Sequence, residues 1–181
     1  MGPAVNARVS FSSLTPHNLG TLRKLNTVLF PISYSDRFYE DVLKPEVDEF
    51  CKLVYYNDIP VGTICCRIET KGDEFHLYLM TMGVLAVCEL RYPFPEYNDS
   101  IPTKPYRSRG LGSQSLQQII EAAKLLNKPK ISKIYLHVQI SNAEAKKFYE
   151  KHGFQEVGIH EKYYKKLVPR DAWIMELTIE Q

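Results

Sequence analysis

Arg107-Ser108-Arg109-Gly110-Leu111-Gly112, running into a helical stretch over 113–126, is the segment on which the fold turns. Glycines two residues apart let a backbone turn sharply and approach a ligand closely. The helix start that follows offers N–H groups with no partner inside the helix and the positive end of its dipole. Arg107 and Arg109 add positive charge. Such a loop suits a diphosphate held on the N–H groups of residues 109–113. The bare spacing suits a glycine turn before an ordinary helix equally well. No Gly-Lys-Ser/Thr follows, which excludes a Walker loop. Arg107 stands where a dinucleotide fingerprint has its first glycine, and no βαβ unit precedes it.

Outward from this loop the chain reads as alternating strands and helices. Residues 50–56, 59–69 and 75–85 form three strands joined by turns at Asn57-Asp58 and Lys71-Gly72-Asp73, an antiparallel meander. Before them, residues 7–12 alternate weakly as an opening strand. Leu19, Leu22, Leu25 and Leu29 then recur at helical spacing behind Thr15-Pro16, which reads as an N-cap followed by proline at the first helical position. Phe30-Pro31-Ile32-Ser33-Tyr34 breaks that helix, and Ser35 or Asp36 caps a second one ending near Leu43. Beyond the glycine loop and its helix, 133–139 is a strand. Asn142 caps a helix through Lys151 that Gly153 stops, and strands over 154–161 and 172–178 follow. The count is about seven strands and about four helices, an α/β (α+β) arrangement in one domain over 1–181. Residues 87–104 stand apart. Pro93, Pro95, Pro102 and the turn cluster Asn98-Asp99-Ser100 mark a surface loop insertion.

Composition narrows the function classes. The chain has 181 residues and a net charge of +2, which fits one domain with a real core and not a polybasic nucleic-acid binder. Cys51, Cys65, Cys66 and Cys88 form no CxxC pair and no cluster with histidine, so no zinc or other metal site is expected. Cys65 and Cys66 are adjacent and should point to opposite faces of a strand. Reduced thiols in a cytoplasmic protein are the expectation. No charged segment leads into an apolar run at the N-terminus, so no signal peptide is expected. No apolar stretch approaches the roughly 20 residues of a membrane span.

Arg107-x-x-Gly110-x-Gly112 is similar to the acetyl-CoA motif of the GNAT (Gcn5-related N-acetyltransferase) superfamily. Asn142-Ala143…Ala145…Phe148-Tyr149…Gly153-Phe154 resembles the late helix and turn of that family, and the order of elements matches. Five further strings are similar to the NatE subfamily of catalytic subunits, which acetylate protein N-termini. They are Thr15-Pro16-His17-Asn18, Phe30-Pro31-Ile32-Ser33-Tyr34, Leu77-Tyr78-Leu79-Met80-Thr81, Tyr135-Leu136-His137-Val138-Gln139-Ile140-Ser141-Asn142 and Tyr163-Tyr164-Lys165. The likeness covers nearly the whole chain. One departure is large: in the family the strand end, here Val84-Leu85-Ala86, runs directly into Pro105-Tyr106-Arg107, whereas here 87–104 intervenes.

The resemblance implies a GNAT fold with a mixed, mostly antiparallel sheet. It implies transfer of acetyl from acetyl-CoA to the α-amine of proteins that begin with Met followed by a hydrophobic residue, by direct attack in a ternary complex. Tyr78 and His137 are then bases acting through an ordered water, and Tyr149 contacts the cofactor sulfur. Backbone N–H groups of Met82, Gly83 and Val84 hold the thioester oxygen and pantetheine arm. Arg107, Arg109, Gly110, Leu111, Gly112, Ser113 and Asn142 complete the cofactor site. Phe30, Pro31 and Ile32 line a pocket for the substrate's first side chain. Tyr163, Tyr164 and Leu167 close it, and Tyr34 and Met80 complete the peptide site. Implied partners are the N-termini of nascent proteins, the large helical-repeat scaffold subunit of NatA and the ribosome, in the cytoplasm with room for a nuclear pool. From the residues alone, a tyrosine or histidine in a strand equally serves packing, and Asn142 equally serves as a plain helix cap. A lysine or small-amine acetyltransferase, or an inactive docking subunit, remains the alternative on the same fold. The apolar Phe30-Pro31-Ile32 segment argues against a polyamine. An α-amine, with pKa about 8 against about 10.4 for lysine, needs the less help from a base.

Overall fold

The computed structural model describes residues 8–85 and 110–180. The insertion 87–104, Cys88, Arg107 and Arg109 lie outside the described residues. The strands are β1 (Val9–Ser13), β2 (Lys52–Tyr56), β3 (Ile59–Lys71), β4 (Glu74–Val84), β5 (Ile131–Gln139), β6 (Gln155–His160) and β7 (Ala172–Thr178). They form one sheet in the order β1-β2-β3-β4-β5-β7-β6. Among the described residues only the central pair β4–β5 is parallel; the other pairs are antiparallel. The described residues add four α-helices that cover it: α1 (Leu19–Leu29), α2 (Asp36–Asp41), α3 (Leu111–Leu125) and α4 (Ala143–Lys151).

Several expected boundaries move, each for a local reason. Thr15 does not cap α1. Asn18 Oδ1 accepts from the Thr15 N–H at 2.8 Å, and its Nδ2 donates to the Ser13 carbonyl at 2.9 Å. Thr15-Pro16 therefore forms a turn ahead of the helix. Neither Ser35 nor Asp36 caps α2 by its side chain; the Ser35 carbonyl accepts from the Phe38 N–H at 3.1 Å. Residues Pro45–Phe50 wind into a 3-10 turn with Pro45 in its first turn, so β2 starts at Lys52 and not at residue 50. Asn142 does cap α4, its Oδ1 accepting from the Ala145 N–H at 3.1 Å.

Both faces of the sheet are apolar and both are covered. Leu77, Leu79, Ile134, Leu136 and Val138 point to the face where α3 contributes Leu111, Leu116 and Ile119, and α4 contributes Tyr149. The opposite face holds Leu53 and Cys65 under Leu22 and Leu25 of α1 and Phe38 and Tyr39 of α2. Cys66 joins the α3 side and Cys65 the α1 side, the alternation expected of neighbours in a strand. Cys51, fully buried, accepts from the Cys66 N–H at 3.3 Å and donates to the Cys66 carbonyl at 3.2 Å.

The centre of the sheet opens. In the β3–β4 ladder Cys65 opposes Thr81 while Cys66 opposes Leu79, so Met80 is an extra residue. A bulge of this kind sharpens twist and re-aims the strand. Pairing of β4 with β5 runs from Phe75–Ile131 to Tyr78–Tyr135 and goes no further. Past Tyr78 the two parallel strands diverge and leave a gap between them.

Candidate active site

The gap exposes backbone groups of β4 on the side away from β3. The Leu85 N–H donates to the Val61 carbonyl at 2.8 Å, and Thr63 opposes Gly83. In an antiparallel ladder, bonded pairs alternate, so the Gly83 N–H belongs to the β3 side while those of Met82 and Val84 face the gap. This corrects the expectation for Gly83. Its lack of a side chain serves another purpose: a Cβ there would lie 3.0 Å from Phe30 Cζ and 3.3 Å from Leu29 Cδ1. Glycine lets the Phe30 ring rest on β4.

On the α1 side of the gap, Tyr78 and His137 meet. His137 stands two residues beyond Tyr135, the partner of Tyr78, on the same face of β5. Its Nδ1 lies 3.2 Å from the Tyr78 hydroxyl. Tyr78 shares a hydrogen bond with the hydroxyl of Tyr163, whose ring stacks on His137 with centroids 4.1 Å apart and planes 8° apart. The second imidazole nitrogen of His137, Nε2, lies 3.3 Å from His160 Nδ1. Burial, and then the neighbouring Tyr163, push the Tyr78 phenol well above its ordinary range, so it stays protonated. Burial, and then the neighbouring His160, hold His137 down at about 4, so its imidazole is neutral at pH 7. Around this pair, Tyr135 donates to Glu69, Arg67 Nε donates to Glu69 at 2.6 Å, and the Arg67 guanidinium lies 4.8 Å from the centre of the Tyr78 ring. Burial pushes the Glu69 carboxyl up, but these hydrogen bonds outweigh it and the net shift is downward.

The expected substrate residues fall in two groups. Phe30, Pro31, Ile32 and Tyr34 line an open hollow of about 520 Å³ at the end of α1, with Arg23 and the buried Asn26. Tyr163, Tyr164 and Leu167, in the connection between β6 and β7, do not line it. Tyr34 joins the groups. Its ring is 6.1 Å from Phe30, and its phenol is raised by burial and then by Cys65, Tyr164 and Tyr163. The connection is tied down where the Gln139 amide donates to the Pro169 carbonyl at 2.7 Å and the Tyr164 N–H to Arg170 at 2.8 Å. Burial pushes the Tyr164 phenol up to about 12. Met80, the bulge residue, is half-buried among the same residues as Tyr34.

The other face carries the glycine loop. Gly110 takes φ 75°, the left-handed region that favours glycine, and α3 starts at Leu111. The Gln114 N–H already bonds to Gly110 at 2.9 Å, so the N–H groups of Leu111, Gly112 and Ser113 are the first-turn donors left over. Among the described residues, a Cβ on Gly112 would meet only Phe148, at 3.5 Å. Tyr149 is buried on this face, and burial raises its phenol and keeps it protonated. The sheet thus separates Tyr149 from the Tyr78–His137 pair. A left-handed glycine, first-turn N–H groups without a partner inside the helix and backbone donors along the gap together suit an extended diphosphate-bearing group with a reactive end.

Sequence reasoning missed His160, Tyr135, Arg67 and Glu69. Tyr135 was within reach, since residues 135, 137 and 139 share a face. The others depend on strand register across β3–β4 and β6–β7, which no local pattern carries.

The model of the acetyltransferase (GNAT) family matches residues 19–154. N-alpha-acetyltransferase 50 of Danio rerio is 38% identical over 175 residues, 97% of this chain and 91% of the fish protein. The probable N-acetyltransferase san of Drosophila melanogaster is 40% identical over 173 residues, 96% of this chain and 82% of its own length. Among solved structures, Arabidopsis thaliana Naa50 in complex with the bisubstrate analogue CoA-Ac-MVNAL matches with a TM-score of 0.75 and 39% identity, covering 93% of this chain and 97% of that one. Fold, order of elements and near full-length identity agree, and the chain belongs to the acetyltransferase (GNAT) family.

Proposed function

We propose that this chain is an N-terminal α-acetyltransferase that moves acetyl from acetyl-CoA to the α-amine of proteins beginning with Met followed by a hydrophobic residue. The observation that carries the reading is the Tyr78–His137 pair, 3.2 Å apart, beside an aromatic cleft on one face of an open sheet whose other face bears the glycine loop. The bisubstrate analogue held by the Arabidopsis relative joins CoA to a peptide that starts Met-Val, which supports both halves.

Acetyl-CoA supplies the activated acetyl thioester. Gly110, Leu111, Gly112 and Ser113 hold its diphosphate, and the Met82 and Val84 N–H groups face its arm along the gap. Tyr149 keeps its proton on the side where the sulfur belongs. Phe30, Pro31 and Ile32 receive the Met side chain, a flexible apolar group, while Tyr34 and Tyr164 flank the peptide. His137, neutral at pH 7, and Tyr78 take the proton of an α-amine whose own pKa is about 8. The partner that supports this role is a helical-repeat scaffold of the NatA type at the ribosome, in the cytoplasm. Affinity capture followed by mass spectrometry tests it, and recovery of the chain without scaffold or ribosome would remove it.

The deciding experiment offers radiolabelled acetyl-CoA with a Met-Leu peptide, an N-terminally blocked lysine peptide and a polyamine. Label should enter the Met-Leu peptide. Preferential labelling of the blocked peptide or the polyamine would replace the reading with a lysine or small-amine acetyltransferase.

A further inference from the structure

β6 carries a second imidazole into the site by a register device. Without a bulge, Val157 would oppose Ile174 and Ile159 would oppose Ala172. Instead Gly158 opposes Ile174 and His160 opposes Ala172, so Val157 is the extra residue. Ile174 also opposes His137. Residues 172 and 174 of β7 share a face, so the bulge places His160, and not Ile159, on the face of His137. The residues between are small or set aside. Ala172 has only a methyl group, and a Cβ on Gly158 would meet Ile174 at 4.0 Å. The two rings meet with His160 Nδ1 3.3 Å from His137 Nε2 and centroids 5.3 Å apart. His160 is exposed, while His137 is half-buried.

We propose that His160 is a positioning and proton-exit residue, which fixes the tautomer of His137 and carries the amine proton from it to solvent. The proposal rests on the acetyl-transfer reading above. In the resting chain Tyr78 donates to His137 Nδ1, and the Nε2–H of His137 donates to His160 Nδ1. As Tyr78 oxygen takes a proton from the ammonium, its own proton passes to His137 Nδ1. The Nε2–H then passes to His160 Nδ1, and the Nε2–H of His160 leaves to water or buffer. Charge returns to its starting value, and each ring has exchanged tautomers. His137 is a poor place to keep the proton, because burial disfavours its charged form. The groups facing His137 are Tyr78 from β4, Tyr163 from the β6–β7 connection and His160 from β6, with Glu69, Arg67 and Lys71 of β3 acting on it from further off.

The test compares wild type with His160→Ala. With a Met-Leu peptide at saturating acetyl-CoA and low buffer, kcat should fall about tenfold, less than the roughly 10²–10⁴-fold of a group acting directly on the reacting proton, with both KM values kept. Imidazole added to the assay should restore the variant to near the wild-type rate and leave wild type unaffected. An unchanged kcat, or a loss that imidazole does not repair, overturns the proposal. A second measurement needs no turnover: nitrogen NMR titration of His137 in the free protein. Wild type should show the Nε2–H tautomer of His137, and His160→Ala should shift the balance toward the Nδ1–H tautomer. An unchanged tautomer balance overturns the proposal even if no peptide is acetylated, whereas wild type without transferase activity but with the expected tautomer change sinks only the functional reading.

Discussion

Gly83→Ala tests how β4 supports the substrate pocket. The new methyl would lie 3.0 Å from Phe30 Cζ and 3.3 Å from both Phe30 Cε1 and Leu29 Cδ1. Carbon atoms prefer about 3.5–4.0 Å, so the ring edge must retreat by about 0.5–1 Å. Phe30 is half-buried at the start of an unpaired segment, so the ring yields before the strand does. The stability loss should sit near the low end of the ~1–3 kcal/mol typical of overpacking. The hollow it lines then changes shape. If a bound Met side chain loses the contact of one methylene, about 0.8 kcal/mol, kcat/KM for a Met-Leu peptide falls about fourfold, through KM. A peptide starting with Ala, which does not reach that depth, should be nearly unaffected. The KM for acetyl-CoA should hold, because the Gly83 N–H belongs to the β3 ladder. Steady-state kinetics with both peptides, together with urea unfolding, read all of this. Equal losses on both peptides, or a weakened acetyl-CoA KM, would refute the reasoning and return Gly83 to the cofactor site.

Tyr78→Phe and His137→Ala should each lower kcat by about 10²- to 10⁴-fold with folding retained; full turnover of both at pH 7 would remove them from the chemistry. The pKa of His137 is depressed from its ordinary 6.5 to about 4 by burial and then by His160, so it gains a proton only well below neutrality. The acidic limb of kcat/KM should therefore follow the substrate amine near about pH 8, and an added ionisation at 6–7 would contradict the burial argument. Gly112→Ala should fold and bind acetyl-CoA nearly as before, since among the described residues its methyl meets only Phe148, at an ordinary 3.5 Å, whereas Gly112→Glu should abolish calorimetric binding by placing a carboxylate at the diphosphate. Gly62→Ala should destabilise by about 3 kcal/mol or more, because its Cβ would stand 2.6 Å from the Gly83 carbonyl and neither backbone can yield; a denaturation midpoint close to wild type would show that the strands separate easily there.

Much of this molecule is legible in the sequence because much of it is local. The leucine spacing of α1, the Asn142 cap and the turn at Asn57-Asp58, both at positive φ, are decided within a few residues. So is the left-handed Gly110 before α3. What escaped depends on contacts distant along the chain. Asn18 takes the Thr15 N–H through its side chain, which a cap pattern reads one way and the folded turn another. Gly83 is one glycine in an apolar strand until Phe30 is seen lying on it. His160 joins the site only through the extra residue at Val157, and a one-residue slip reverses every face. The Tyr78–His137 pair became readable through family likeness; period-two spacing alone gives each its face but not the bulge at Met80 that opens the strands beside them.

The three core thiols have a use outside catalysis. Cys51, Cys65 and Cys66 are fully buried. Burial pushes the Cys51 thiol up to about 12 and the other two well above their ordinary value. Alkylating reagents attack the thiolate, so in the native sheet these sulfurs are shielded twice, by access and by protonation. Each reports on a different layer: Cys65 on the α1 side, Cys66 on the α3 side, and Cys51 on the bond that fastens the start of β2 to the bulged region of β3. Pulsed alkylation read by peptide mass would therefore time the loosening of the two layers separately. Equal labelling rates at Cys65 and Cys66 would mean that the halves of the domain come apart as a single unit.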